Sequence, residues 1–509
     1  MTLTSTLPTD ATIRHTRRGI TLAVLCASAF IINVDTTIVN IALPALVRQL
    51  GSTTRDLQWV VDAYNLTFAA LVLVAGSLGD RYGRKGALVA GLAIFGLATT
   101  VGGLVDSTSS LLVVRACMGV GAALIFPATL SIISNLYTGR AERAKAIGVW
   151  GAMTGLGVAF GPVTGGFLLE RFWWGSVFVV MAPVAGLTLL AAIRFVPNSR
   201  DPATPPLDIV GLVLSTLGIG TLVYSIIEAP DRGWTAGPTL LGAATTVIVG
   251  VVFVWWERRR ESPMLDVSLF RNLRFSAASG SVTVSFFALG GFVFLITQYF
   301  QFLKDYAPLS TGVRILPVAL SIGAGSVLGV KLAVNFGNKA VVAVGLTMVG
   351  ASFAWVSTAS TATSYWEIVG QMLLAGFGLG FTTAPATEAI MGVVPQDKAG
   401  VGSAVNDATR ELGGALGVAV IGSVFASLYH SGLDSPDLTA TPAARAAAKE
   451  SIGAAVATSH QLGTEGTQLL ATAKHAFFDG FQAGCLVASG VLFVGAIFAA
   501  LVLPSRPGS

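Results

Sequence analysis

The chain has 509 residues, of which 53% are hydrophobic and only 11% charged, with a formal net charge of +5 and a mean hydropathy of +0.74. Soluble domains carry about 25% charged residues, so this composition excludes a water-soluble globular fold and points to an integral membrane protein. The excess cations do not read as a nucleic-acid surface, because they sit in short segments between apolar runs, where they set orientation in a bilayer.

The apolar runs are about 20 residues long, which indicates membrane-spanning helices rather than a barrel, whose strands need only about 9–11 residues. About 14 such runs are present, at 19–47, 57–78, 86–105, 111–136, 146–169, 177–196, 209–228, 240–256, 275–303, 313–332, 340–356, 366–393, 401–429 and 477–503. Arg14, Arg17 and Arg18 precede the first, which has no small-residue cleavage site and carries Asp35, so it reads as an uncleaved span. An even number of spans puts both termini on one side. With the termini inside, the inner segments hold about 20 Lys and Arg and the outer ones about 9. Both termini are therefore expected to be cytoplasmic.

The expected organisation is an amino-terminal tail at 1–18, a six-helix bundle at 19–197, and a linker with two inserted helices at 198–260. A second six-helix bundle follows at 261–503, including an outer loop at 430–475, and a short tail at 504–509. Pro197, Pro202, Pro205 and Pro206 mark the linker. The outer loop has one helix-prone stretch, 442–458, and either lies on the membrane surface or caps the outer mouth. The bundles read as an internal repeat. Pro127-Ala128-Thr129 recurs as Pro385-Ala386-Thr387, 258 positions on, and Gly83 and Lys85 recur as Gly337 and Lys339, 254 positions on. In the second copy Asp80 has become Val334 and Arg81 has become Asn335.

Three groups of residues stand out as functional candidates. The first is the turn between spans 2 and 3, with Gly76, Asp80, Arg81, Gly83, Arg84 and Lys85. Glycines let the chain turn back sharply, and cations hold the turn on the cytoplasmic side. An acid among those cations has a use if the loop must grip another helix end and later release it. The second group is the charge inside the spans, which costs several kcal/mol unless it meets a cavity or a partner. These residues are Asp35, Asp62, Arg115, Arg410 and Glu411. Asp35 is either a packing acid satisfied by Asn33, Thr36 or Thr37, or a carboxylate reached from alternate sides by protons and cargo. Burial and Arg115 act on its charge in opposite senses. Asp62 is an interfacial cap or a second coupling acid, and Arg410 with Glu411 is a packing ion pair or part of a substrate site. The third group is glycine spacing in span 5. Gly157, Gly161 and Gly165 recur every fourth residue beside Pro162 and Gly166, and span 10 carries Gly325 and Gly329. Such faces admit close helix contact, and they are expected to meet each other across the two bundles near the outer side.

Together these motifs resemble the major facilitator superfamily of transporters. The loop resembles its signature between spans 2 and 3, and Gly157 to Gly166 resembles the span 5 motif of its drug/proton antiporters. The run Asp35 to Pro44 resembles the span 1 motif of the 14-spanner branch. Arg115 with Gly119 and Gly121 resembles the span 4 arginine motif, with Met118 where that motif has glutamine. The resemblance implies an all-α major facilitator fold of two pseudo-symmetric six-helix bundles plus two inserted helices, in a bacterial inner membrane. It also implies export of lipophilic, often cationic drugs by alternating access, driven by the proton gradient without a cofactor; the oligomeric state is left open, with a monomer favoured. Export of an endogenous metabolite, lipid or siderophore by the same fold is the alternative.

An enzyme is the remote reading: the chain has no Gly-Lys dipeptide for a P-loop and neither a His-Glu-x-x-His nor a Gly-x-Ser-x-Gly motif. His15, His430, His460 and His475 are expected outside the spans, and Cys26, Cys117 and Cys485 inside apolar runs read as packing residues. No metal site is expected.

Overall fold

Long helices capped by short polar side chains make up the structure. The computed structural model describes residues 10–200, 208–261, 263, 265–394, 399–434, 438, 440–462 and 464–504. Pro202, Pro205 and Pro206 of the expected linker, residues 1–9 and 505–509 of the expected tails, and the side chains of Arg14, Arg17 and Arg140 lie outside the described residues.

The first bundle contains α1 (Asp10–Leu50), α2 (Thr54–Tyr82), α3 (Arg84–Gly102), α4 (Thr108–Leu136), α5 (Arg140–Arg171), the single turn α6 (Ser176–Val179) and α7 (Met181–Phe195). Two further helices follow, α8 (Ile209–Arg232) and α9 (Gly237–Glu257). The second bundle contains α10 (Leu273–Gln298), α11 (Pro308–Val356), α12 (Tyr365–Val393), α13 (Ala399–Gly432), the short α14 (Pro442–Glu450) and α15 (Ile452–Leu462), and α16 (Thr464–Val502). The starts are set locally. Thr53 and Asp56 form a reciprocal capping box before α2, and Ser107 and Ser364 accept a hydrogen bond from the first turn of α4 and α12.

Among the described residues 13 helices are long and apolar enough to cross a bilayer. One of them, α11, has 49 residues and turns at Gly337, whose φ of 82° and ψ of 155° are not helical. A Cβ on Gly325, before the turn, or on Gly345, after it, would strike residues 377–382 of α12. The two parts therefore run back alongside each other as two spans, which gives 14 crossings. Gly83, with φ 122°, makes the equivalent turn between α2 and α3. Only glycine adopts such angles without strain, and the two turns sit at matching places in the repeat. A second matching pair escaped the sequence reading. Gly91 packs on Gly121 between α3 and α4, as Gly345 packs on Gly378 between α11 and α12.

Glycine governs the packing, but not between the partners expected. A Cβ on Gly157 would lie 2.8 Å from the Phe30 carbonyl oxygen, and one on Gly161 or Gly165 would strike Thr37 or Ile38. The span 5 stripe thus faces α1 within its own bundle, while Gly325 and Gly329 face Phe377 and Phe381 of α12. The reason is geometric: Asp35 and its neighbours hold α1 in the bundle interior, and only a side-chain-free face lets α5 approach it. What crosses between the bundles is the next edge of the motif. Gly166 abuts Pro308 and Leu309, and Gly312 abuts the Pro162 carbonyl.

The two bundles meet at the end of the molecule opposite Asp80. There Arg48 donates to Gln301 at 3.4 Å, Gln301 donates to the Ile41 carbonyl at 3.1 Å, and the Leu309 amide donates to Glu170 at 3.0 Å. Gln58 of α2 donates to the carbonyls of Val418 and Ala419 on α13, each at 3.2 Å. Toward the Asp80 end, α5 is exposed at Ile147, Gly148, Val149, Ala152 and Leu156. The described contacts between the bundles gather at the first of these ends, the closed end, and at the Asp80 end α5 is left uncovered.

The segment 430–475 differs from the single helix expected. It forms α14 and α15, broken at Ser451 (φ −169°, ψ 161°), and α16 begins as early as Thr464. It caps the closed end rather than lying apart from it. Tyr429 donates to the Ala448 carbonyl at 2.9 Å, Thr54 donates to the Glu450 carbonyl at 3.2 Å, and Gly453 fits against Val47 and Phe302. Because α13 and α16 run longer than expected, His430 and His475 fall within their ends rather than in a loop.

Candidate functional site

Three helices of the first bundle converge on one buried ion pair. α1 supplies Asp35 and α4 supplies Arg115, whose Nη1 lies 2.8 Å from Asp35 Oδ2, with side chains 0% and 1% exposed respectively. α2 completes the setting. Its Val60 carbonyl accepts from Arg115 Nε at 2.9 Å, and the Tyr64 ring lies 4.4 Å from the guanidinium carbon. Placing Arg115 so close to α2 requires that α4 approach tightly, and Gly119 allows this: a Cβ there would lie 2.6 Å from the Tyr64 carbonyl oxygen. The arginine is thus held by a carboxylate, a carbonyl and an aromatic face, each of which favours a positive charge.

The local alternatives for Asp35 are spoken for. Asn33 donates to the Ala29 carbonyl, Thr36 to that of Ile32 and Thr37 to that of Asn33. These side chains satisfy their own helix, so Arg115 is what compensates the acid. Asp35 Oδ1 has no hydrogen-bond partner among the described residues. The pair therefore binds one carboxylate oxygen and leaves the other uncommitted.

Asp62 is also 0% exposed, and neither of its carboxylate oxygens has a hydrogen-bond partner among the described residues. It lies one turn from Gln58 and shares that helix face with Asn65. Both neighbours approach α13, Gln58 through the carbonyls named above and Asn65 beside Gly414. Asp62 accordingly belongs to the face of α2 that meets the second bundle.

The second bundle brings its own charges from α13. Arg410 lies with its guanidinium 5.3 Å from the Phe286 ring, and no ion pair within 4 Å joins it to Glu411 or to any other described acid. The packing ion pair, one of the two readings open for Arg410 and Glu411, is not formed. Glu411 stands within electrostatic reach of Asp407 and Arg410, and more weakly of Arg115. Asp407, one turn before Glu411, is 5% exposed with Oδ2 unpartnered. Sequence reasoning passed over Asp407 and Tyr64. Their signals were present, since Asp407 is an acid one helical turn from Glu411 and Tyr64 follows Asp62 by two residues.

The loop at 76–85 is folded onto its own bundle. Asp80 pairs with Arg84 at 2.6 Å across the turn, the Arg84 amide donates to the Ser199 carbonyl at 2.9 Å, and Lys85 Nζ donates to the Ile193 carbonyl at 2.7 Å. Arg81 lies over the Tyr82 ring, and Gly76 passes close to Pro127. In this open-faced arrangement Asp80 thus grips Arg84 rather than a helix end of the other bundle. Among the described residues no three His, Cys, Asp or Glu gather as metal ligands.

Residues 25–418 match the sequence model of the Major Facilitator Superfamily. The chain is 33% identical over 482 residues to "Multidrug efflux pump LfrA" of Mycolicibacterium smegmatis, covering 94% of this chain and 95% of that one. It is 32% identical over 487 residues to "Methyl viologen resistance protein SmvA" of Salmonella typhimurium, covering 94% and 97%. Among solved structures, a bacterial homolog of the human lysosomal transporter Spinster superposes with a TM-score of 0.70 at 16% identity, over 96% of this chain and 97% of that one. That likeness concerns the fold alone.

Proposed function

This chain belongs to the major facilitator superfamily of membrane transporters, and from that premise we propose that it exports lipophilic, cationic drugs in exchange for protons. The observation that carries the proposal is the Asp35–Arg115 pair, fully buried between three helices with one carboxylate oxygen left free. The names of the relatives support drug export. One of them is named for resistance to methyl viologen, a bipyridinium dication.

The chemistry follows from the cost of separating buried charges. An ionised Asp35 must keep Arg115, because breaking a buried pair by removing one partner costs about 3–5 kcal/mol. A proton on Asp35 discharges that acid and shifts the burden to the buried Arg115, which keeps the Val60 carbonyl and the Tyr64 ring and turns toward Glu411 on the opposite bundle for its counter-charge. A cationic cargo competes for the same carboxylates, Asp62 and Asp407 among them, so proton and cargo exclude each other. Exchange then requires that the bundles rock about the pair, exposing it to one face at a time. In this reading the Asp80–Arg84 loop is cytoplasmic and closes that face in the other half of the cycle, and the protein works as a monomer in a bacterial inner membrane.

Purified protein in proteoliposomes, loaded with a fluorescent lipophilic cation and given an imposed pH gradient, tests this reading. Cation movement against the proton flow is expected, and its sign should reverse when the gradient is reversed. Cation movement that ignores the gradient would contradict the exchange.

A further inference from the structure

The inserted pair α8–α9 is not a passive addition at the periphery. α9 packs on α8 along its apolar length, Gly242 against Ser225 and Thr246 against Thr221, and is otherwise exposed there. α8 does something different. Val223 and Ile227, 0% and 1% exposed, pack with Ala419 of α13, and Trp59 and Leu66 of α2 close over the same cluster. α8 is therefore wedged along the seam between α2 and α13, which is a seam between the two bundles.

Polar contacts fasten both sides of the wedge at the closed end of the molecule. Toward α13, Ser423 donates to the Ile226 carbonyl at 2.8 Å, and Trp234 Nε1 donates to Ser427 at 3.1 Å. Toward α2, Arg55 Nη1 lies 3.2 Å from Asp231 and 3.5 Å from Glu228. Within α8 Arg232 shares Glu228 at 3.2 Å, and on the α13 side His430 lies 3.7 Å from Asp231. Among the described residues the opposite seam, between α5 and α11, has no such wedge and is closed by backbone contact at Gly166 and Gly312 and by the Leu309 amide on Glu170.

We propose that α8 is a clasp that holds the closed face shut, and that it opens on its α2 side while remaining attached to α13. Rigid bundles cannot part at this seam without α8 losing one neighbour. The contact with α13 is the one that holds the buried cluster of Val223, Ile227 and Ala419, with the Ser423 hydrogen bond beside it and more exposed contacts at Trp234 and His430. The contact with α2 rests on the partly buried Trp59 and Leu66 and on Arg55, whose side chain is 42% exposed. Exposed ion pairs hold weakly and are readily replaced by water, so the charged side is the one built to release. Arg55, Glu228 and Asp231 are then positioning residues that set how much of the time the face is open. The inference rests on alternating access as a property of the fold, and not on the identity of the cargo.

The test is distance measurement between spin labels in the full chain, freed of its three cysteines and reconstituted in nanodiscs at acidic and at alkaline pH, with and without tetraphenylphosphonium. Three pairs are compared: Arg55→Cys with Asp231→Cys, Ser427→Cys with Trp234→Cys, and Glu170→Cys with Leu309→Cys across the other seam. The α2–α8 pair and the α5–α11 pair are expected to gain a second population several ångströms longer under the same conditions, while the α8–α13 pair keeps one distance. Arg55→Ala in the α5–α11 background should raise the long population by up to about fivefold, the scale of an exposed ion-pair network. If α5–α11 lengthens while α2–α8 stays fixed, or if α8–α13 splits instead, the clasp is overturned and the transport reading stands. If α5–α11 never lengthens, alternating access at this face fails and takes the clasp with it.

Discussion

The turn at Gly83 in the first bundle and the turn at Gly337 in the second occupy equivalent places, and the chemistry around them has parted company. Both glycines keep positive φ, both turns lead into a helix that meets its neighbour glycine on glycine, and both neighbours carry a proline, Pro127 and Pro385. Around Gly83, however, Asp80 binds Arg84, whereas around Gly337 the acid is replaced by Val334, which is 81% exposed. Likewise the first bundle holds Arg115 against Asp35, and the second offers Asp407 and Glu411 with no ion pair to Arg410. What the duplication preserved is backbone geometry, because helix separation is set by the absence of side chains at a few positions. Charge was needed once, and the second copy was free to lose it or reuse it.

That contrast can be broken at the ion pair first. Arg115→Leu leaves Asp35 buried without compensation and should cost about 3–5 kcal/mol, seen as a large fall in the thermal midpoint in detergent. Combining it with Asp35→Asn should restore most of the stability while efflux stays absent. Recovery of efflux in the double variant would show that the pair only packs the bundle. Next in size are the glycine contacts, where the two bundles should respond alike. Gly121→Ala and Gly378→Ala each force a methyl within 3 Å of a facing backbone oxygen and should each cost about 1–3 kcal/mol. A loss confined to one bundle, read by thermal unfolding, would contradict equivalent frameworks. Gly83→Ala and Gly337→Ala should again behave as a pair, each losing roughly 1–3 kcal/mol through backbone strain. The smallest effects separate the bundles by charge. Asp80→Asn should lower efflux severalfold with little change in stability, while Val334→Asp, at an exposed site, should shift stability by no more than about 0.5 kcal/mol and leave efflux unchanged.

Much of this was readable from the residues because the bilayer is an unforgiving solvent. A carboxylate and an arginine inside apolar runs are rare enough that Asp35 and Arg115 stood out before any contact was known, and the structure puts them 2.8 Å apart. The turn glycines and the proline repeat were equally plain. Partner choice was not. The stripe Gly157, Gly161, Gly165 announces a close approach but carries no information about which helix approaches, and it proved to be α1 rather than the other bundle. The wedge of α8 was hidden for a similar reason, since Val223 and Ile227 look the same whether they face lipid or protein. The break at Ser451 inside the outer loop depends on contacts with Val47, Thr54 and Phe302, which lie far away in sequence.

The central claim is that the Asp35–Arg115 pair couples protons to cargo, and simultaneous recording of both fluxes tests it most directly. In proteoliposomes carrying a pH-sensitive dye, wild-type protein should move protons whenever a lipophilic cation is added on the opposite side. Asp35→Asn, inserted and folded to the same extent, should move neither. Gradient-driven cation efflux at the wild-type rate in the Asp35→Asn protein would contradict the account.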